Sequence, residues 1–432
     1  MHEDSCDAYR GDISEQQLQQ RSVFRQSVFH RIAVASHQNE CLHWIVKTRA
    51  AYPVNRSVHN VGLEGIEGAD EEEETFFRSK YHTALTLACL CCEASAARVL
   101  LEVQGGVRWA DRRLMFFPIS AIHRMNPADD GTCRSVLEVL AEQGADFATA
   151  GLDPGGHCLL SLASQASAEQ TVKFLFQQRG VAATVNGVVG EGGRCRVPLV
   201  KGAHIIDESS LSIASLLLQH GADPNQAGIT EEKLGLSMRG EVLMTALQLT
   251  VSGMEWSSLD EEESDSEEFS LAEHHRFQMV RLLIAHGASC LPACDLAPPP
   301  NADESGLPPR SRASPLLIAC LNDQADLVRF MCEKGGADPT LPGAHYEEIP
   351  EDYPIAYLVR FWKCDMNDTL SHRRERDWKL AQIVDLLLDL GADPNKKMKD
   401  NAHPPKEVAR RRRFFRTAEA LNRRGAKAIA SK

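Results

Sequence analysis

Leu and Val recur at positions i, i+3 and i+4 in short stretches along the chain, and each stretch stops at a glycine. The pattern reads VLEVLAEQGADF at Val136 to Phe147, SLLLQHGADPN at Ser215 to Asn225, and VRLLIAHGASC at Val280 to Cys290. It returns as VRFMCEKGGADPT at Val328 to Thr340, VDLLLDLGADPN at Val384 to Asn395 and AEALNRRGAK at Ala418 to Lys427. Two degenerate copies are ARVLLEVQGG, from Ala97 to Gly106, and VKFLFQQRG, from Val172 to Gly180. Such spacing puts the apolar side chains on one face of a helix. A glycine one residue past the end suits a left-handed cap, which predicts Gly144, Gly221, Gly287, Gly336 and Gly391 as structural caps. Asp-Pro-Asn after the glycine predicts a turn, because Asp and Asn bond nearby backbone and Pro presets φ.

A second, shorter helix signal precedes most copies, with a small polar residue ahead of an apolar run. Examples are TALTLAC at Thr83 to Cys89, SAIHRM at Ser120 to Met125, CLLSLAS at Cys158 to Ser164, TALQLT at Thr245 to Thr250, SPLLIAC at Ser314 to Cys320 and YPIAYLV at Tyr353 to Val359. Ser314 followed by Pro315 is an N-cap with proline at the first helical position. Helix, turn, helix, glycine cap and hairpin make one unit.

This unit resembles the ankyrin repeat, about 33 residues long, which reads T-P-L-H-x-A near its start and G-A-D-x-N near its end. SPLLIA at Ser314 to Ala319, and GADPN at Gly221 to Asn225 and Gly391 to Asn395, carry the resemblance most closely. The first-helix histidine is present only at His30 and His123, so the bond it usually makes between neighbouring loops is expected to weaken and the stack to be less regular. The resemblance implies an all-α fold, an ankyrin-repeat solenoid of about eight to nine helix-turn-helix units with hairpin connections. It covers roughly residues 22–428, with an atypical first repeat around Ser22 to Ala50.

Spacing shows where the repeats depart from the family. With Gly106, Gly144, Gly180, Gly221, Gly287, Gly336, Gly391 and Gly425 taken as caps, successive intervals are 38, 36, 41, 66, 49, 55 and 34 residues. The expected organisation is a polar segment at 1–21, the array at 22–428, and a basic capping repeat at 400–432. Acidic insertions are expected near 60–75 and 252–270, a Pro-rich one near 291–313, and a basic one near 362–377 carrying Arg373, Arg374 and Arg376. Long loops on a rigid scaffold are common sites of specificity, although solvated spacers have the same composition.

Charge sharpens this picture. The net charge of -13 is uneven: residues 359–432 hold 19 Lys and Arg against 10 Asp and Glu, while the rest holds 28 against 50. No apolar run approaches the roughly 20 residues that span a bilayer. The first residues lack the basic, apolar, small-residue pattern of a secretory signal, so the thirteen cysteines are expected as thiols in the cytoplasm, or alternatively the nucleus.

No arrangement of residues predicts catalysis, a cofactor or a metal. Cys89 and Cys92 form a CxxC without a second ligand pair, and Cys89 and Cys320 fall in the same small-residue slot of the first helix. VNGVVGEGGRCR, from Val185 to Arg196, lacks the Gly-Lys-Ser/Thr of a phosphate loop and reads as an insertion between repeats. His274-His275 has no acidic residue at metal spacing. Arg410 to Arg413 and Arg416 could serve nuclear import or an anionic ligand. Alternatively, Val408, Ala409, Phe414, Phe415, Ala418 and Leu421 form a core stripe and leave the arginines on the polar face of a terminal repeat.

The expected function is a noncatalytic scaffold or adaptor that binds a protein on the concave face. Asp260, Glu261, Glu262, Glu263, Arg373, Arg374 and Arg376 are the candidate partner-binding residues. Ser257, Ser258 and Ser264, each with an acidic residue three positions on, suit acidophilic kinases. The alternatives are an inhibitor or retention factor masking a basic segment of its partner, and a substrate-receptor subunit of a ubiquitin ligase. No membrane, nucleic acid or small-molecule partner is expected.

Overall fold

Amphipathic pairing builds the fold. The structure, a computed structural model, describes residues 85, 88–89, 92–103, 130–145, 147, 157–188, 195–204, 206–230, 242–252, 267–292, 313–342, 353–362, 370–396 and 403–430. These divide into two compact units, residues 1–187 and 188–432, with the glycine-rich segment at their boundary.

In the first unit α1 (Ala94–Val103) packs on α2 (Asp130–Glu142), and α2 packs on α4 (Glu169–Gln177), which pairs with the short α3 (Leu159–Gln165). A 3-10 turn, Val181–Thr184, closes the unit against α4. Cys133, Val136, Leu137 and Leu140 form the buried stripe of α2 at the predicted helical spacing.

Among the described residues the second unit shows five helix pairs. They are α5 (Pro198–Gly202) with α6 (Glu208–Gln219), α7 (Ala246–Ser252) with α8 (Glu267–Ala285), and α9 (Pro315–Leu321) with α10 (Ala325–Lys334). Then come α11 (Pro354–Phe361) with α12 (Leu370–Asp389) and α13 (Pro405–Arg411) with α14 (Phe415–Ala430). The short helices α5, α7, α9, α11 and α13 each touch the next and form one layer. The long helices form the other, through contacts of α6 with α8, α10 with α12 and α12 with α14. Phe277 on α8 and Phe330 on α10, with ring centroids 5.3 Å apart, continue that layer. Leu380, Ile383, Val384 and Leu387, all with no measurable exposure, show the stripe that holds α12 in place.

Start and stop signals act as read. Ser314 accepts the Leu317 amide at 3.2 Å, with Pro315 at the first helical position. Gly144, Gly221, Gly287, Gly336 and Gly391 have φ of 82°, 90°, 88°, 68° and 99°. A Cβ there would meet nothing within 4 Å, so backbone conformation rather than space demands glycine. The Asp side chains accept the amide two residues on, Asn225 at 2.9 Å from Asp223, Thr340 at 2.8 Å from Asp338 and Asn395 at 2.8 Å from Asp393.

Four features correct the sequence expectations. Gly425 lies inside α14 rather than capping it. Phe415 is 66% exposed and stands outside the core stripe that Ala409, Phe414, Ala418 and Leu421 do form, because Phe414 alone fills the pocket after the turn. The excess between Gly221 and Gly287 is shared with a strand pair, β1 (Gly228–Thr230) antiparallel to β2 (Val242–Met244), with Ile229 opposite Leu243. The inserted Arg373, Arg374 and Arg376 lie within α12, which runs 20 residues against 10 in α10, so this insertion lengthens an outer helix.

Candidate interaction surface

Some of the polar residues that the repeats bury join neighbours. Gln248 occupies the histidine slot of TALQ and has no measurable exposure. Its Oε1 accepts the Thr245 amide at 2.9 Å, while its Nε2 donates to the Ala313 carbonyl of the next repeat at 2.7 Å. Glutamine thus supplies here the link expected to be lost with histidine. The Asn225 side chain donates to the Gly287 carbonyl at 3.0 Å and accepts the Ser289 amide at 2.6 Å, tying consecutive hairpins.

The turn ahead of the long helix repeats one geometry in four repeats. Cys92, Ser167, Asp323 and Arg413 have φ of 55°, 51°, 58° and 66°. The following amides of Glu93, Ala168, Gln324 and Phe414 bond back to Ala88, Ala163, Ala319 and Ala409 at 2.9, 3.0, 3.0 and 2.9 Å. At the CxxC the Cys92 amide donates to the Cys89 carbonyl at 3.2 Å, and Cys89 is buried in the slot that Cys320 fills later. Burial raises the Cys133 thiol, and the neighbouring Cys92 thiol raises it further. Burial also pushes Cys290 up to about 12 and Cys332 up to about 11, so neither favours the nucleophilic thiolate. Among the described residues no group of three His, Cys, Asp or Glu side chains could hold a metal ion.

Two aspartates cap the outer helix of the following repeat. Asp130 accepts the Gln170 and Thr171 amides at 2.6 and 3.0 Å and the Thr171 hydroxyl at 2.6 Å. Asp377 accepts the Arg416 and Thr417 amides at 2.9 and 3.1 Å and the Thr417 hydroxyl at 2.9 Å. Each carboxylate satisfies donors that a helix start leaves orphaned, and its charge suits the positive end of the dipole.

The predicted basic residues separate into several roles. Arg374 is exposed in the first turns of α12, with Arg373 and Arg376 half-buried beside it. Arg412 donates to the Val359, Arg360 and Trp362 carbonyls at 3.0, 2.5 and 3.1 Å, capping the end of α11, so it does not lie on the outward face. Arg411 pairs with Glu407 at 3.2 Å, and Arg423 with Asp385 at 3.7 Å. Lys396 sits 4.7 Å above the Tyr353 ring. Asp260, Glu261, Glu262 and Glu263, the three candidate serines, His30 and His123 lie outside the described residues.

No known family profile matches the chain, and no curated protein does. Among solved structures, an ankyrin repeat domain from Acinetobacter baumannii is 16% identical, with 62% of this chain and 97% of that one covered and a TM-score of 0.37. A second ankyrin repeat protein is 16% identical over 63% of this chain and 98% of its own, also at 0.37. The ankyrin repeat domain of Bcl-3, a member of the IkappaB family, is 20% identical over 61% and 88%, at 0.35. The chain's own geometry carries the fold: short and long helices in two layers, left-handed glycines closing the long ones, and Asp-anchored turns after them. The chain folds as a divergent ankyrin-repeat array.

Proposed function

We propose that this protein is a noncatalytic interaction scaffold or adaptor that holds a protein partner across the concave face of its repeats. One observation carries the reading: the buried Gln248 and Asp377 and the half-buried Asp130 and Arg412 all bond neighbouring repeats, so their chemistry is spent on holding the stack. A stack of this kind offers successive turns and hairpins as an extended contact surface.

Charge sets the rest of the proposal. The acidic stretch with Asp260, Glu261, Glu262 and Glu263 would steer a basic partner, and Arg373, Arg374 and Arg376 would meet acidic groups elsewhere on it. Complementary charge acts mainly on association, over a screening length of about 8 Å at physiological salt. Affinity purification of the full chain with mass spectrometry tests this, run beside a variant with the four acidic residues changed to Asn and Gln. The reading expects a protein recovered in stoichiometric amount, with slower and less salt-sensitive association for the variant. Recovery of no protein would contradict the scaffold, whereas equal rates and salt slopes would make the acidic stretch a solvated spacer.

A further inference from the structure

The three Phe and Trp rings that the described residues leave exposed all belong to the last two repeats. Phe361, Trp378 and Phe415 are 39%, 46% and 66% exposed. Two long-range links bring them to the same edge. Arg412 anchors the α13–α14 turn on the carbonyls around Phe361. Asp377, next to Trp378, binds the amides of Arg416 and Thr417, next to Phe415.

Charge at this edge is mainly basic, with arginines outnumbering the exposed carboxylates. Arg374 is exposed four residues before Trp378, which puts both on one face of α12. Arg413 and Arg416 are exposed on either side of the Phe414-Phe415 pair. Three of the carboxylates nearby are engaged, Glu375 with Lys379 at 3.2 Å, Glu407 with Arg411 at 3.2 Å, and Asp377 with the α14 amides, while Glu419, one turn past Phe415, is exposed. Aromatic rings and arginines together are the composition of interface hot spots, and large aromatic side chains gathered in exposed positions on neighbouring elements mark interaction surfaces.

We propose that this helix-turn edge, formed by Phe361, Trp378, Phe415, Arg374, Arg413 and Arg416, docks a short acidic segment of a protein partner that carries an aromatic or aliphatic residue among its carboxylates. The arginines meet the carboxylates and the rings cover the apolar residue. Nucleic acid fits the edge less well, because a long polyanion would also meet the acidic remainder of a chain whose net charge is -13. The proposal rests on the interaction reading and names a partner chemistry for a surface which that reading left out.

The test is selection of a random dodecapeptide phage library on the full-length protein, followed by fluorescence anisotropy of the most enriched peptide and of a twelve-nucleotide oligo-dT. The expected result is enrichment of acidic peptides bearing an aromatic or aliphatic residue. Their affinity should fall about tenfold or more in Arg374→Gln/Arg413→Gln/Arg416→Gln and in Trp378→Ala/Phe415→Ala. These side chains are exposed, so circular dichroism should show both variants folded. Enriched peptides without acidic character, affinities unchanged in both variants, or tighter binding of the oligonucleotide would each overturn the proposal while leaving the interaction reading standing. A library that yields no binder at all would count against both.

Discussion

Replacing Asp377 by Ala removes the acceptor of two backbone amides and one hydroxyl at the start of α14, bonded at 2.9, 3.1 and 2.9 Å. The site is closed to water, with Asp377 6% exposed and Thr417 not measurably so. An N-cap contributes about 1 kcal/mol, and a hydrogen bond to a charged group about 1.5–3 kcal/mol. Because the three bonds share one carboxylate they do not add fully, and a loss of about 2–4 kcal/mol is expected. Asp377→Asn, which keeps the shape and one acceptor oxygen, should lose about half of that. Thr417→Val removes the hydroxyl alone and should cost about 1 kcal/mol. Combining it with Asp377→Ala should cost less than the sum, since both changes delete one shared bond. Guanidinium denaturation measures each loss, and hydrogen exchange localises it: the α14 amides should lose protection before those of α9 and α10. A change under about 0.5 kcal/mol in Asp377→Ala, with α14 protection intact, would refute the cap.

Ser167→Gly and Asp323→Gly, at φ of 51° and 58°, should each raise stability by up to about 1 kcal/mol, since left-handed strain is relieved against a smaller entropic cost; unchanged melting would contradict it. Gly391→Val should lower stability by about 1 kcal/mol or more through φ alone, because no atom lies within 4 Å of the added Cβ. Gln248→Ala should cost about 2 kcal/mol by stranding the Thr245 amide and the Ala313 carbonyl, read by urea denaturation. Burial raises the Cys290 thiol to about 12 and Cys332 to about 11 from an ordinary 9.0, so the unfolded chain releases these protons first as pH rises. Their contribution is full below pH 9.0 and is lost above it, so a Cys290→Ala/Cys332→Ala variant should show a shallower decline of stability from pH 9.0 towards 11 than the parent.

What the sequence disclosed was whatever depends on neighbours along the chain. Leucine spacing, glycine after the long helix, Ser-Pro before the short one and the Asp-anchored turn are all local rules, and α12, Gly391, Ser314 and Asp393 obey them. The left-handed turn found in four repeats left no such mark, because Cys92, Ser167, Asp323 and Arg413 occupy positions that glycine would have signalled. The links between repeats were equally hidden. Asp377 meets a helix start about 40 residues later and Arg412 a helix end about 50 residues earlier, and no local spacing rule pairs side chains across such separations. Gln248 shows that a slot can keep its bond while changing its residue type, so counting histidines misses this link. Phe415 was misplaced by one position, since the turn at Arg413 shifts the helical phase between α13 and α14.

Hydrogen exchange of the full chain, with and without the protein recovered by affinity purification, tests the central claim most directly. An interaction scaffold predicts added protection at the turns and hairpins of several successive repeats, with the exposed edge around Trp378 and Phe415 among them if the recovered partner carries an acidic segment. Protection confined to a single repeat, or none at saturating partner, would contradict the account.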